Sequence, residues 1–122
     1  MNLYHHILPE ILTKLLEAGI YMRKQDLVNV LFIAIGQESP NLLKAVLHAK
    51  AKLRKVILHD TTNGKSPLMW AAGLKQTESV RLLLEAGADV TQQNYEGKTV
   101  FDFASDKETI DLLQKYKKTP AK

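Results

Sequence analysis

The stretch Gly64-Lys65-Ser66-Pro67-Leu68-Met69-Trp70-Ala71-Ala72 returns 33 residues later as Gly97-Lys98-Thr99-Val100-Phe101-Asp102-Phe103-Ala104-Ser105. Each copy reads as the opening of a helix. Ser66 and Thr99 are residue types whose side-chain oxygens accept from the free amides of a first turn. Pro67, one position inside, has its torsion preset and no amide to leave unsatisfied. Ala71, Ala72 and Ala104 are small where two helices must approach closely. Between the two copies, Val80, Leu83 and Leu84 fall three and four residues apart and give a second helix one apolar stripe. Gly87 follows that helix, where a left-handed backbone conformation carries no Cβ penalty, so the chain is predicted to turn there.

The fixed period, the Ser-Pro-Leu opening and the ending Leu83-Leu84-Glu85-Ala86-Gly87-Ala88-Asp89-Val90 together resemble the ankyrin repeat family. The resemblance implies an all-α solenoid of stacked helix-turn-helix units joined by finger loops, because a single unit cannot bury its own apolar face. The pattern runs from about residue 10 to residue 116, with its sharpest motifs between residues 64 and 113.

Working backward, Leu31-Phe32-Ile33-Ala34-Ile35-Gly36 lies 37 residues before Leu68-Met69-Trp70-Ala71-Ala72-Gly73. Ser39-Pro40-Asn41 then opens a second helix with Leu42, Leu43, Val46 and Leu47 on its apolar face. The four additional residues are therefore expected between Arg54 and Asn63. Further back, Glu10 to Gly19 resembles Glu78 to Gly87 down to the Leu-Leu-Glu-Ala-Gly ending, so a second helix stands there without a full partner. Residues 2 to 7 are expected to form a remnant of the missing first helix, set off by Pro9, which opposes a continuous helix. At the other end, Ser105-Asp106-Lys107-Glu108 reads as a capping box for a last helix carrying Ile110, Leu112 and Leu113. Lys115, Lys117 and Lys118 near its end suit the helix dipole and a solvent-facing cap.

The expected organisation is one domain over residues 1–122, of about three and a half repeats. A partial amino-terminal repeat covers approximately 1–25, a repeat with a lengthened finger 26–63, a further repeat 64–96, and a carboxy-terminal capping repeat 97–118.

Composition agrees and excludes several functions. Hydrophobic residues make up 45% of the 122 and charged residues 25%, enough to bury a core, while aromatics at 7% fit a core of Leu, Ile, Val and Ala. There is no cysteine, which removes disulfides, thiolate metal sites and a thiol nucleophile. The start of the chain has no basic n-region, and Pro9, Glu10 and Lys14 interrupt any apolar run. No stretch approaches the roughly 20 apolar residues of a membrane span. A cytoplasmic protein is expected, or one delivered into a host cytosol without a cleaved signal peptide. His5, His6, His48 and His59 lack metal-ligand spacing with a partner acid. The serines sit at helix starts or on helix faces rather than on a nucleophile elbow. No catalytic residue, cofactor or metal is expected. The net charge of +4 is concentrated in the first half, where residues 1–63 carry eight Lys or Arg against five acids. No aromatics interleave the cations of residues 50–55, so nucleic acid is not the expected partner.

The family resemblance implies that first helices and fingers line a concave surface on which protein partners dock. The corresponding positions here are Phe32 and Ile33, Met69 and Trp70, and Asp102 and Phe103. Two roles stay open for Trp70, an interface anchor or an aromatic packed on neighbouring repeats. Met69 replaces the family's usual histidine and is expected mainly to pack. The finger from His48 to Asp60 departs furthest from the family. Lys50 stands for the turn glycine and Lys52 for the aspartate, and with Arg54 and Lys55 they make a cluster suited either to an acidic partner or simply to solvation. Val56-Ile57-Leu58 within it could add a short hairpin. The expected function is a monomeric, non-catalytic adaptor or inhibitor. The alternative is a structural or self-assembling module of a larger protein, such as a secreted bacterial effector, in which the incomplete first repeat leaves an apolar end that stacks on another domain or a second copy; the degenerate, Lys- and Ile-rich first half is similar to ankyrin proteins of intracellular bacteria.

Overall fold

The computed structural model describes residues 4–49 and 64–118. Among them lie seven helices: α1 (Tyr4–Glu17), α2 (Lys24–Gly36), α3 (Pro40–Ala49), α4 (Pro67–Gly73), α5 (Thr77–Glu85), α6 (Val100–Phe103) and α7 (Lys107–Lys118). They form two layers. Helices α2, α4 and α6 stack in one, and α1, α3, α5 and α7 stack in the other, with α2 packed on α3 and α4 on α5. This is the all-α solenoid that the recurrence around Ser66 and Thr99 predicts.

The local signals act as expected at the starts of α3 and α4. The Ser39 Oγ accepts from the Leu42 amide at 3.3 Å, and the Ser66 Oγ accepts from the Met69 amide at 3.3 Å. Pro40 and Pro67 each begin their helix, where no amide partner is lost. The ends repeat as well. After α2, the Ser39 amide donates to the Ala34 carbonyl and the Glu38 amide to that of Ile35. After α4, Gln76 donates to Ala71 and Lys75 to Ala72 in the same pattern. This six-to-one and five-to-two pairing closes a helix through one left-handed residue. Glu38 at φ 51° and Lys75 at φ 61° take that role. Helices α1 and α5 close identically at Gly19 and Gly87, which accounts for the resemblance of the two Leu-Leu-Glu-Ala-Gly endings.

The core lies between the layers. Ala34, Ala71 and Ala72 are fully buried beside Leu31, Leu42, Leu43, Leu68 and Leu83, so the layers meet over small residues with leucines filling the seams. Helix α2 buries Leu27, Val28, Val30, Leu31, Ala34 and Ile35, an apolar girdle wider than a single stripe because it has neighbours on several sides. Polar ties join successive units. The Gln76 side-chain amide donates to the Ile35 carbonyl at 2.6 Å and accepts from the Ser79 hydroxyl at 3.0 Å. The hydroxyls of Thr77 and Thr109 share a hydrogen bond of 3.2 Å between α5 and α7.

Two expectations are corrected. Pro9 does not divide the amino-terminal segment: α1 runs through it from Tyr4 to Glu17, so residues 4 to 7 belong to the helix that packs on α3. Pro9 sits in the second turn, where it forgoes one backbone bond. Its ring is buried, and its carbonyl accepts from the Thr13 hydroxyl at 2.7 Å. The cap of α7 is Asp106 rather than a box opened by Ser105. One Asp106 carboxylate oxygen accepts from both the amide and the hydroxyl of Thr109, at 3.2 and 2.8 Å. The short side chain of Thr109, fully buried, reaches back where a glutamate one position earlier would not.

These caps carry charge. The Thr109 hydroxyl, aided by its amide and by the nearby Lys75 charge, holds the Asp106 carboxyl below its ordinary range against some desolvation. The Arg23 guanidinium, at 3.2 Å, and the Arg23 amide do the same for Asp26 at the start of α2. A carboxyl whose folded pKa is depressed stabilises the fold above its unfolded value near about 4 and loses that contribution as pH falls through the folded value. Urea denaturation is expected to show stability level from neutral pH to about pH 5 and falling below about 4. In Asp106→Asn the fall should be shallower, starting from a lower plateau.

Candidate protein-binding face

The layer formed by α2, α4 and α6 presents equivalent positions at a regular spacing. Ile33, Trp70 and Phe103 occupy one of them, and each is half-buried and packed against the core. The preceding position is less uniform. Phe32 is half-buried, Met69 is 1% exposed and Asp102 is exposed. Met69 is therefore a core residue and leaves the set of candidate contacts, because α4 has neighbours in both layers and its unbranched side chain fills the space between them. Asp102 faces the start of its own helix, where a carboxylate oxygen accepts from the Thr99 amide at 2.9 Å.

One residue at this face was not singled out from the sequence. The Lys65 ammonium lies 4.8 Å from the centre of the Trp70 ring and 4.6 Å from that of Phe103. Trp70 belongs to α4 and Phe103 to α6, so the cation bridges two successive units. The close approach of those helices is visible at Gly73, where a side-chain carbon would lie 3.9 Å from the Phe103 Cβ. The signal was present in Lys65 standing five residues before Trp70, with Phe103 at the Trp70 position of the next unit. It required knowing that the units stack directly. A second cation, Lys117 of α7, lies 5.3 Å from the centre of the Phe101 ring of α6.

Tyr95 is 86% exposed, and its ring lies against Gly64. A side-chain carbon at Gly64 would stand 2.8 Å from the Tyr95 ring. The basic cluster Lys50, Lys52, Arg54 and Lys55, with the Val56-Ile57-Leu58 stretch and the four-residue insertion, lies outside the described residues. On the opposite layer, an open groove between α1 and α3 is lined by Glu10, Lys14, Glu17, Lys44 and His48. Among the described residues no group of three or more His, Cys, Asp or Glu side chains is placed to hold a metal ion. No helix among them is long and apolar enough to cross a membrane.

The sequence profile of the family described as ankyrin repeats (3 copies) matches residues 4–94 and, overlapping, 31–119. The chain belongs to the ankyrin repeat family, whose members are in general protein–protein interaction modules. No curated protein and no solved structure matches it.

The contact between Gly64 and Tyr95 gives a measurable asymmetry between two glycines of similar backbone. Gly64 has φ +80° and meets Tyr95, whereas Gly97 has φ +79° and open space. Gly97→Ala is expected to cost roughly 1–2 kcal/mol for the left-handed conformation. Gly64→Ala should cost more, because the ring must also move, and in a Tyr95→Ala background the two should become equal. Chemical denaturation of the four variants provides the comparison.

Proposed function

We propose that this chain is a non-catalytic adaptor or inhibitor that holds a protein partner against the face built by α2, α4 and α6. The observation that carries the reading is the row Ile33, Trp70 and Phe103, presented at equivalent positions of successive units and half-buried, with Phe32 beside it. Rigid aromatic side chains held this way have little conformational freedom left to lose on binding. In this reading the units span 1–25, 26–63, 64–96 and 97–118, and the cations Lys50, Lys52, Arg54 and Lys55 add an electrostatic preference for an acidic partner in the cytosol.

The test is affinity capture with mass spectrometry on the wild type and on Trp70→Ala/Phe103→Ala, with circular dichroism to establish that the variant stays helical. Proteins captured by the wild type should be lost or weakened by at least about tenfold, the level at which an anchor residue is recognised. An identical capture profile from the folded variant would refute the reading.

A second reading is favoured by the amino-terminal end. Ile11, Leu15, Ile20 and Tyr21 are exposed there, at 49%, 38%, 50% and 77%. The Ile20 amide donates to the Leu15 carbonyl, which sets Ile20 at the end of the Ile11–Leu15 strip. Such an end suits self-assembly, with a second copy stacked on α1, in a module of a larger protein such as a secreted bacterial effector. Light scattering is expected to detect association at high concentration that Leu15→Asp abolishes. A strict monomer counts against this reading and leaves the first intact.

A further inference from the structure

The Lys65 ammonium lies over two rings and, among the described residues, pairs with no oxygen acceptor. Trp70 and Phe103 lie on two of its sides, at 4.8 and 4.6 Å, and no described carboxylate forms an ion pair with it. Rings attract the charge through their faces but accept no strong hydrogen bond, so none of the described residues takes up the three N–H donors, which suit water or a ligand. Asp102, the carboxylate next to Phe103 in sequence, is engaged by the Thr99 amide. The side chain of Lys65 is half-buried, which leaves part of it open to the same face as the aromatic row.

A lysine of this kind differs from an ordinary surface cation in two ways that both favour an incoming anion. Its long stem is already confined, so little further rotamer freedom is lost when it is engaged. The rings exclude water from two directions, so an ion pair formed on the remaining side is screened less than a fully exposed pair. The rings that confine it also offer apolar surface within a few ångströms of the charge. The complementary ligand is therefore a carboxylate with an aliphatic or aromatic group beside it.

We propose that Lys65 is a specificity-determining anchor that selects partners presenting an Asp or Glu side chain flanked by an apolar residue, the carboxylate pairing with the ammonium and the apolar group covering Trp70 or Phe103. The inference rests on the docking face proposed above and names the chemistry that face reads. It is carried by the juxtaposition of Lys65, Trp70 and Phe103, and it does not depend on the cations of residues 50 to 55.

The chain contains one tryptophan, so its fluorescence reports on this site alone. The probe is a random dodecapeptide library displayed on phage and selected on the immobilised full chain. Selected peptides should carry Asp or Glu next to an apolar residue, and their synthetic forms, chosen without tryptophan, should change the Trp70 emission. Replacing that acid by its amide should weaken binding about tenfold to the wild type and leave binding to Lys65→Met unchanged. Peptides that depend on Trp70 but show no acidic preference overturn the anchor while the docking face stands. Acidic peptides whose amide forms are equally weakened on Lys65→Met overturn it as well. Peptides that leave Trp70 emission unaltered and survive Trp70→Ala bind elsewhere and overturn the docking face and the anchor together.

Discussion

No pair of helices in this chain can bury its own apolar surface, and every other feature follows from the sharing of that surface between neighbours. The sharing requires a short distance between layers, which Ala34, Ala71 and Ala72 provide by having no side chain beyond Cβ to keep the helices apart. Leucines then close the seams on either side. Because successive units must present matching seams, the turns between helices are constrained to one geometry. The same pair of backbone hydrogen bonds recurs after α2 and α4, even though left-handed residues there are Glu38 and Lys75 and not glycine. The stacking therefore holds two side-chain-bearing residues in a conformation they disfavour by on the order of 1 kcal/mol.

Much of this was legible in the sequence, for a physical reason. Periodic packing writes periodic residues, and the repetition of Gly64 to Ala72 at Gly97 to Ser105 implies the stacking of α4 on α6. The likeness of Glu10–Gly19 to Glu78–Gly87 located α1 in the same layer as α5. What escaped reading lay where local preference and tertiary gain oppose each other. Pro9 disfavours a helix interior in isolation, yet α1 continues through it, with the ring buried and the Pro9 carbonyl bonded by the Thr13 hydroxyl. Asp106, and not Ser105, caps α7 because the buried Thr109 supplies both donors.

The candidate site was legible in a different sense. The positions that face outward could be named from the spacing, and Trp70 and Phe103 do sit at equivalent places in adjacent units. Burial at a single position could not: Phe32, Met69 and Asp102 are equivalent in register and differ completely in exposure. Lys65 was invisible because its significance is relational. Its partners lie five and thirty-eight residues away, and only stacking brings the second of them into reach.

That relational character has a mechanical side. One ring of the clamp stands on α4, deep in the solenoid, and the other on α6, a single turn of four residues that ends where Ala104 becomes extended. The unit of α6 and α7 is secured through the Thr77–Thr109 hydroxyl contact and the burial of Val100 and Leu113. When that unit loosens, Phe103 leaves and the ammonium regains its freedom. The proposed anchor can therefore hold an anion tightly only while α6 and α7 stay closed on α4 and α5.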